Sequence, residues 1–487
     1  MNPLLTPDEM RAVDAHAVAT GTSVATLMDR AGRAVARAVR AELGGTYGRR
    51  VVIACGRGNN GGDGLVAARV LRSWGVRVDL FELEAGIDRD VCSRAIARAD
   101  AVVDAMFGTG FRGALEGDAA WFAAQTEYPA RACVAVDIPS GVDGLTGAVD
   151  GPAVLADRTV CFAAAKPGML FEPGRSRAGV VEVVDIGLDV GCGSGTGPDA
   201  GVISETDVRA WLPDRGADVH KWSAGGVFVV GGSSGMTGAP MMVSHAAMRV
   251  GAGIVWCGMP GDAAIRASGS EVVTRLLPAA TDGSLGADAA IAVLAELDRF
   301  RVLVLGPGLG SGSATRAAVQ RIVAEAPVAL VLDADGLNAL EGDVSPLRAR
   351  ADRGAPTILT PHAAEYARLA GRAVGADRIV AARELAAAAR SVVLLKGPGT
   401  VIAGPDGRVA VNPTGGPWLA TAGSGDVLSG MIGGVAARGG DAFEAAAAGA
   451  WLHGRAADEA GHTGLVAGDL VAAIPRTLRT VVDAMTP

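Results

Sequence analysis

GRGNNGGDG, Gly56 to Gly64, lies between an apolar run, RRVVIAC (49–55), and a helix-like stretch, LVAARVLRSWG (65–75). A glycine-rich turn from strand to helix is the junction of an α/β unit. Its backbone N–H groups can approach an anion closely, and the N-terminus of the following helix adds a favourable field. The turn contains a literal G-x-G-x-x-G at Gly56, Gly58 and Gly61. The dinucleotide fingerprint also asks for an acidic residue about 20 positions later. Asp79 and Glu82, in VRVDLFE, stand near there. Asn59, Asn60 and Asp63 nevertheless crowd the turn with amides and oxygens where that fingerprint needs only glycine. Three readings stay open at this point: a redox dinucleotide, another phosphorylated ligand, or a tight turn without ligand.

Outward from this turn, β-branched runs alternate with helical patterns from Arg49 to Ile186: VVIAC, VRVDLFE, AVVDAMFG, ACVAVDIP, RTVCF and VVEVVDIG. Apolar strands separated by helices predict a parallel sheet covered on both faces. GLDVGCGSGTGPDAG, residues 187–201, is glycine-rich without periodicity and reads as a linker. A second alternation follows it: GGVFVVGG, AGIVWCG, FRVLVLGPG, VALVLDAD, PTILTP, VVLLKG and VIAG. The fold class is therefore α/β with two domains, a Rossmann-like parallel-sheet domain at 1–195 and a second α/β domain at 196–487. At the start, LTPDEM predicts a helix with Thr6 as N-cap, Pro7 first and Glu9 closing a capping box.

The 487 residues are 49% hydrophobic and 20% charged, which is globular composition. A net charge of −8 gives no basic field for nucleic acid or an anionic membrane. No stretch reads as a signal peptide or membrane span. The six cysteines are widely spaced and read as reduced core thiols, so a cytoplasmic location is expected. The six histidines lack metal-ligand spacing, and no zinc site is expected.

In open α/β sheets ligands collect beyond the carboxyl ends of the strands. Several polar groups of the first domain fall there: the NNGGD turn, Asp104 with the loop Gly108 to Ala114, and Asp137 with Ser140 in VDIPSGVD. Any one of these is a common cap or turn residue; together with an anion loop they predict a pocket. Asn60, Asp104 and Ser140 offer oxygens suited to a hard monovalent cation, and Asp137 is a carboxylate placed for acid–base work.

LTPDEMRAVD, GRGNNGGDG, DAMFGTG, VDIPSGVDG and FAAAKPGM, in this order, resemble the signature stretches of the YjeF N-terminal family, the NAD(P)HX epimerases. The resemblance covers residues 1 to about 190. It implies interconversion of the R and S forms of hydrated NADH or NADPH at C6 of the nicotinamide ring. It further implies that Asn59, Asn60, Gly61, Gly62 and Asp63 hold the hydrate, together with Gly108, Thr109, Gly110, Phe111, Arg112, Gly113 and Ala114. Asn60, Asp104 and Ser140 would bind K+, and Asp137 would contact the substrate near the reacting carbon. Lys166 matches a family position that carries no implied role. Animal members have a lysine between the first two motifs; residues 64–103 contain none, which leaves the second acid–base group unnamed.

In the second domain, TAGSGDVLSG (421–430) runs from a Gly-Ser-Gly-Asp turn into a helix and presents consecutive N–H groups to an anion. Asp426 beside such a hole would repel a phosphate, but it can take a proton from a hydroxyl approaching phosphorus. The plain alternative is a glycine turn with Asp426 as a helix-end charge. The turn is similar to the G-x-G-D of the ribokinase-like superfamily. HKWSAGGVFVVGGSSGMTGAP, GPGLGSG, LDADGLNAL, LTPHAAEYARL, LLKGPGT and NPTGGPWLATAGSGD resemble its ADP/ATP-dependent NAD(P)H-hydrate dehydratase branch. That resemblance implies nucleotide contacts from Lys396, Gly397, Pro398, Gly399, Thr400 and Gly425. It implies Asp426 as catalytic base, and Ala239, Gly310 and His362 around the hydrate. The chain departs from the family pattern at Trp222 and Ala364, where glycine is usual.

The implied chemistry is phosphorylation of the C6 hydroxyl by ADP, with Mg2+ on the nucleotide, followed by loss of phosphate to give NAD(P)H and AMP. The ligands are then NAD(P)HX and ADP, with neither nucleic acid nor membrane, and the relatives' habit implies a homo-oligomer. The alternative is a hydroxymethylpyrimidine-like kinase joined to a Rossmann-like binding or oxidoreductase domain. It would give a stable phosphorylated product or hydride transfer instead of free phosphate.

Overall fold

The computed structural model describes residues 1–127, 131–192, 200–212, 218–261 and 271–483. The chain divides into two compact units, Asn2–Ala200 and Gly201–Pro487, with Met1 grouped in the second. The expected boundary at 195/196, and the centre of the expected linker, lie outside the described residues.

In the first unit the strand Arg50–Cys55 shows why its run is apolar throughout. Side chains alternate across a sheet, and here both faces are covered. Val51, Ile53 and Cys55 share a core with helices Pro7–Ala19, Val24–Glu42 and Asn59–Ser73. Val52 and Ala54 share another with helices Arg89–Arg98 and Gly117–Gln125. The first of these helices starts as its sequence predicts: Thr6 accepts from the Glu9 N–H, and Glu9 accepts from the Thr6 N–H.

Six parallel strands form the sheet, in the order Arg77–Glu82, Arg50–Cys55, Ala101–Ala105, Ala132–Val136, Arg158–Phe162 and Val180–Val184. The chain steps outward once from Arg50–Cys55 and then returns to its other side. The order thus reverses between Arg50–Cys55 and Ala101–Ala105. Loops leaving the two carboxyl ends diverge there and open a crevice.

The second unit repeats the device. Its parallel strands run Val392–Leu395, Thr357–Leu359, Ala329–Leu332, Val302–Leu305, Gly226–Val230, Ile254–Pro260 and Val273–Leu277. Val401–Ala403 and Val409–Val411 add antiparallel pairs at one side. The reversal falls between Gly226–Val230 and Val302–Leu305. Over it lies the helix Ser424–Ala437, whose glycines serve close packing. A Cβ on Gly430 would meet Val243 O at 2.2 Å, one on Gly433 Val304 Cγ2 at 2.6 Å, and one on Gly434 Val250 Cγ1 at 2.3 Å. Among the described residues no helix is long and apolar enough to cross a membrane. Cys55, Cys92, Cys133, Cys161 and Cys257 are free and buried.

Candidate active sites

At the reversal of the first sheet, the helix Asn59–Ser73 starts at Gly58 without a side-chain cap. Its first internal bond is Gly62 N–H to Gly58 O at 3.1 Å. The N–H groups of Asn59, Asn60 and Gly61 have no acceptor among the described residues, so they remain available to an anion. The three motif glycines have different duties. A Cβ on Gly56 would stand 1.9 Å from Met106 O, and one on Gly61 1.9 Å from Gly56 O, whereas one on Gly58 would meet nothing. Gly56 and Gly61 let the loop fold against the neighbouring strand end; Gly58 leaves room for a ligand.

A cavity of about 720 Å³ opens here. Of the residues expected at a site, Asn59, Asn60, Asp63 and Asp137 line it, as do Gly108, Thr109, Gly110 and Phe111. Gly61, Gly62, Arg112, Gly113 and Ala114 do not. Two further lining residues are Asp14 and Lys166. Gly108 passes tightly over two of the functional groups: a Cβ on it would lie 2.9 Å from Asp137 Oδ2 and 3.3 Å from Asn60 Oδ1.

Asp137 follows strand Ala132–Val136 and takes φ 67°, a conformation that non-glycine residues rarely hold and that recurs at functional sites. Its Oδ1 accepts from Lys166 Nζ at 2.6 Å and its Oδ2 from the Thr109 N–H at 3.0 Å. Lys166 is fully buried, and its Nζ also donates to Phe162 O at 3.1 Å and Cys161 Sγ at 3.2 Å. All three ammonium protons are therefore used. Burial acts to lower the Lys166 pKa, but Asp137 outweighs it and holds the ammonium above its ordinary value.

Asp63 and Asp14 have no hydrogen-bonding or ionic partner among the described residues. Burial, then the charges of Asp137 and Asp14, push the Asp63 carboxyl up to about 8. Burial and Asp137 also raise Asp14, against the pull of Lys166.

Asp104 and Ser140 lie outside the cavity lining. Asp104 Oδ1 accepts from Ser140 Oγ at 2.7 Å and Met106 N–H at 3.1 Å, and Oδ2 from Ser140 N–H at 2.7 Å. Asp104 is fully buried and has no ion-pair partner among the described residues; burial pushes it up to about 6 despite those bonds. An oxygen-rich place with an uncompensated buried carboxylate fits a monovalent cation. The third expected oxygen, on Asn60, belongs to a side chain whose Nδ2 is buried without a partner.

In the second unit the loops at the reversal are tied together. Gly232 N–H donates to Pro307 O at 2.8 Å, and Ser233 Oγ to Gly308 O at 2.9 Å. Ala239 opens the adjacent helix Gly238–Val250, and Gly310 N–H is fixed by Asp335 Oδ2 at 2.8 Å. His362 is a helix cap: its Nδ1 accepts from the N–H groups of Ala364 and Glu365, and its side chain is half-exposed. The Ala364 departure does not prevent this, because only the backbone of residue 364 takes part.

The helix Ser424–Ala437 starts at Gly423, at φ 87°, also without a side-chain cap. Ser424 N–H bonds Thr421 O at 3.3 Å and Val427 N–H bonds Gly423 O at 3.0 Å. The N–H groups of Gly425 and Asp426 between them have no acceptor among the described residues. No hydrogen bond or ion pair from the described residues reaches the Asp426 carboxyl. Burial and the charge of Asp333 raise it to about 6, against Lys396.

Lys396 follows strand Val392–Leu395, and its Nζ stands 2.8 Å from Asp333 Oδ1 and 3.7 Å from Glu365 Oε2. Asp333 follows strand Ala329–Leu332, is buried, and accepts from Ser429 Oγ at 2.6 Å. A Cβ on Gly425 would lie 3.8 Å from Lys396 Nζ, so the lysine sits under the turn. Gly397, Pro398, Gly399 and Thr400 continue the Lys396 loop, braced by Thr400 Oγ1 to Gly397 O at 3.2 Å. Arg378 holds the Lys396 carbonyl at 3.1 Å.

Sequence reasoning named neither Asp333, Glu365 nor Ser429 as site residues. An aspartate directly after an apolar strand, in LDAD, is the signal that could have found Asp333. It also missed His453, which is buried, held down to about 4 chiefly by burial, and interacts with the Ser424 backbone. Among the described residues no three His, Cys, Asp or Glu side chains converge as a metal site.

A family model described as NAD(P)H-hydrate dehydratase matches residues 227–478. Another, described as YjeF-related protein N-terminus, matches residues 24–97 and 82–168. The bifunctional NAD(P)H-hydrate repair enzyme of Moorella thermoacetica is 40% identical, over 93% of this chain and 92% of its own length. That of Salinibacter ruber is 39% identical, over 97% and 96%. Among solved structures, the ADP/ATP-dependent NAD(P)H-hydrate dehydratase from Bacillus subtilis, co-crystallised with ATP/Mg2+, is 32% identical with a TM-score of 0.51; the match covers 59% of this chain and all of that one.

Proposed function

The chain belongs to the family of bifunctional NAD(P)H-hydrate repair enzymes, and we propose that residues 1–195 epimerise R and S NAD(P)HX while residues 196–487 dehydrate the S form with ADP. The observation that carries the reading is the state of Asp426. Among the described residues this carboxyl has no hydrogen-bond or ion-pair partner, and the two backbone N–H groups beside it at a helix start have no acceptor.

In the dehydratase site Asp426 accepts the proton of the C6 hydroxyl as that oxygen attacks the terminal phosphate. The Gly425 and Asp426 N–H groups and the helix end hold charge on the transferring phosphoryl group. The ring nitrogen's lone pair then expels the phosphate ester from C6, a proton leaves C5, and the products are NAD(P)H, AMP and phosphate. Mg2+, bound with the nucleotide, would supply neutralisation of phosphate charge. Lys396, fixed by Asp333, keeps a positive charge beneath the turn, and the loop to Thr400 offers backbone to the nucleotide. Ala239, Gly310 and His362 stand around the hydrate.

In the epimerase site the uncapped N–H groups of Asn59, Asn60 and Gly61 receive a phosphate, while Asp137 faces the reacting end of the ligand. K+ would sit on oxygens of Asn60, Asp104 and Ser140 and offset the buried carboxylate. The free, buried thiols suit a reducing compartment, in keeping with a cytoplasmic enzyme.

The test is to add ADP or ATP, with Mg2+ and K+, to mixed R and S NADHX. Absorbance at the NADH band should recover past the S fraction to near completion. Asp426→Ala should abolish recovery, and Asp137→Ala should stop it at the S fraction. Stable phosphorylation without NADH recovery, or hydride transfer without hydrate, would overturn the reading.

A further inference from the structure

We propose that Asp63 is the second acid–base residue of the first cavity, giving its proton to the C6 hydroxyl while Asp137 accepts one from the incoming water. The proposal rests on the epimerase reading and names the group that the sequence left unnamed.

Inversion of C6 by exchange of its hydroxyl breaks the C–O bond and re-forms it on the other face. One group must donate a proton and another must accept one. The titratable side chains lining the cavity are Arg11, Asp14, Arg57, Asp63, Asp137 and Lys166. Guanidinium groups do not give up protons in proteins, and Arg57 is moreover paired with Glu84 at 2.7 Å. Lys166 has spent its three protons on Asp137, Cys161 and Phe162. Asp137 already accepts at both oxygens, which suits an acceptor and stabiliser of positive charge. Asp14 and Asp63 remain.

Asp63 is the deeper of the two, 7% exposed, and is set by the first turns of the helix that begins at the anion loop. It comes from a different element than Asp137, so the two can address one ring atom from different directions. Three carboxyl groups share this cavity with one ammonium. The repulsion is relieved if the most buried of them keeps its proton, and the fields of Asp137 and Asp14 act on Asp63 in that sense. Among the described residues no acceptor takes that proton, and an unpartnered buried carboxyl is costly to keep. A ligand hydroxyl supplies the missing partner.

The step balances. The Asp63 proton moves to the C6 hydroxyl oxygen, the C6–O bond breaks with its pair on oxygen, and water leaves. The ring nitrogen's lone pair forms C6=N. Water adds to the other face of C6, the pair returns to nitrogen, and the added water loses its proton to Asp137. Transfer of that proton through cavity water from Asp137 to Asp63 restores the start.

The test uses the full chain with K+ and purified R-NADHX, without nucleotide, following the S form by chromatography. Asp63→Asn keeps shape and hydrogen bonding but cannot donate a proton. Its R-to-S rate above the spontaneous background should fall by roughly 100-fold or more. Dehydration of S-NADHX by the same variant should stay within about twofold of wild type. A donor must hold its proton, so the wild-type rate should fall as pH rises through about 8. Asp14→Asn removes a charge that raises Asp63, and should move that limb down by about half a unit or more, a shift that a merely structural Asp63 would not show. An Asp63→Asn rate within about threefold of wild type, or a limb unmoved in Asp14→Asn, overturns the proposal. If wild type itself converts no R form above background, it is the epimerase reading that fails.

Discussion

Each unit pairs a lysine with an aspartate beyond the carboxyl ends of its parallel strands, near an uncapped helix start, but the two wire it oppositely. In the first, Lys166 is bonded to the functional carboxylate itself, Asp137, at 2.6 Å. In the second, Lys396 is bonded to a different carboxylate, Asp333, at 2.8 Å, and Asp426 has no partner among the described residues. A paired carboxylate is held negative between turnovers, so it orients a ligand, steadies positive charge and takes a proton only in passing. An unpaired one, raised by burial, is a base close to its working range. The same two residue types therefore do different work, according to which oxygen the ammonium reaches.

The contrast is most severely tested by Asp426→Asn. It should lower dehydration of S-NADHX by about 10³-fold, with R-to-S conversion untouched, in a coupled NADH absorbance assay against chromatography of the epimers. Next comes Asp137→Leu, which leaves the Lys166 ammonium buried and unpaired. It should cost the first unit roughly 3 kcal/mol, read by denaturant unfolding, and Lys166→Met added to it should restore part of that loss. The equivalent change at Asp426 should cost far less, because it removes no pair.

A smaller effect is expected in the pH profile. Asp426 must be ionised to act as base, so dehydratase kcat/KM should fall as pH drops through about 6. Asp333→Asn removes the neighbouring charge that raises Asp426 and frees Lys396 to lower it further, so that limb should move to lower pH by about one unit. A limb that stays in place would mean the two carboxylates are not coupled. The smallest effect belongs to the open glycines. A Cβ on Gly58 meets nothing and one on Gly425 only Lys396 Nζ at 3.8 Å. Alanine at either should change stability by about 0.5 kcal/mol or less, while raising KM for the ligand that occupies the turn.

Much of this was legible in the sequence. Alternating apolar runs gave both parallel sheets, since a strand buried on two faces has to be apolar at every position. The two glycine turns marked both uncapped helix starts; the first follows the strand Arg50–Cys55 at a reversal, and the second begins the helix that lies over one. The duties within the first turn were not legible: the letters GRGNNGG are the same whether a glycine meets a phosphate or a neighbouring carbonyl, and Gly56 and Gly61 meet carbonyls. Nor was the helix-capping duty of His362 decided in advance, since a cap and a pocket residue both stand at a strand's carboxyl end.

The sequence by itself determined the two α/β domains, the places where their loops gather, and the repair chemistry its motifs resemble. Those follow from periodicity and from residues adjacent in the chain. Only the tertiary structure decided that Lys166 meets Asp137 across 29 positions, that Lys396 meets Asp333 across 63, and that Asp63 has no partner among the described residues. Strand order brings such pairs together, and burial then sets how strongly each charge is felt; neither is written in local spacing.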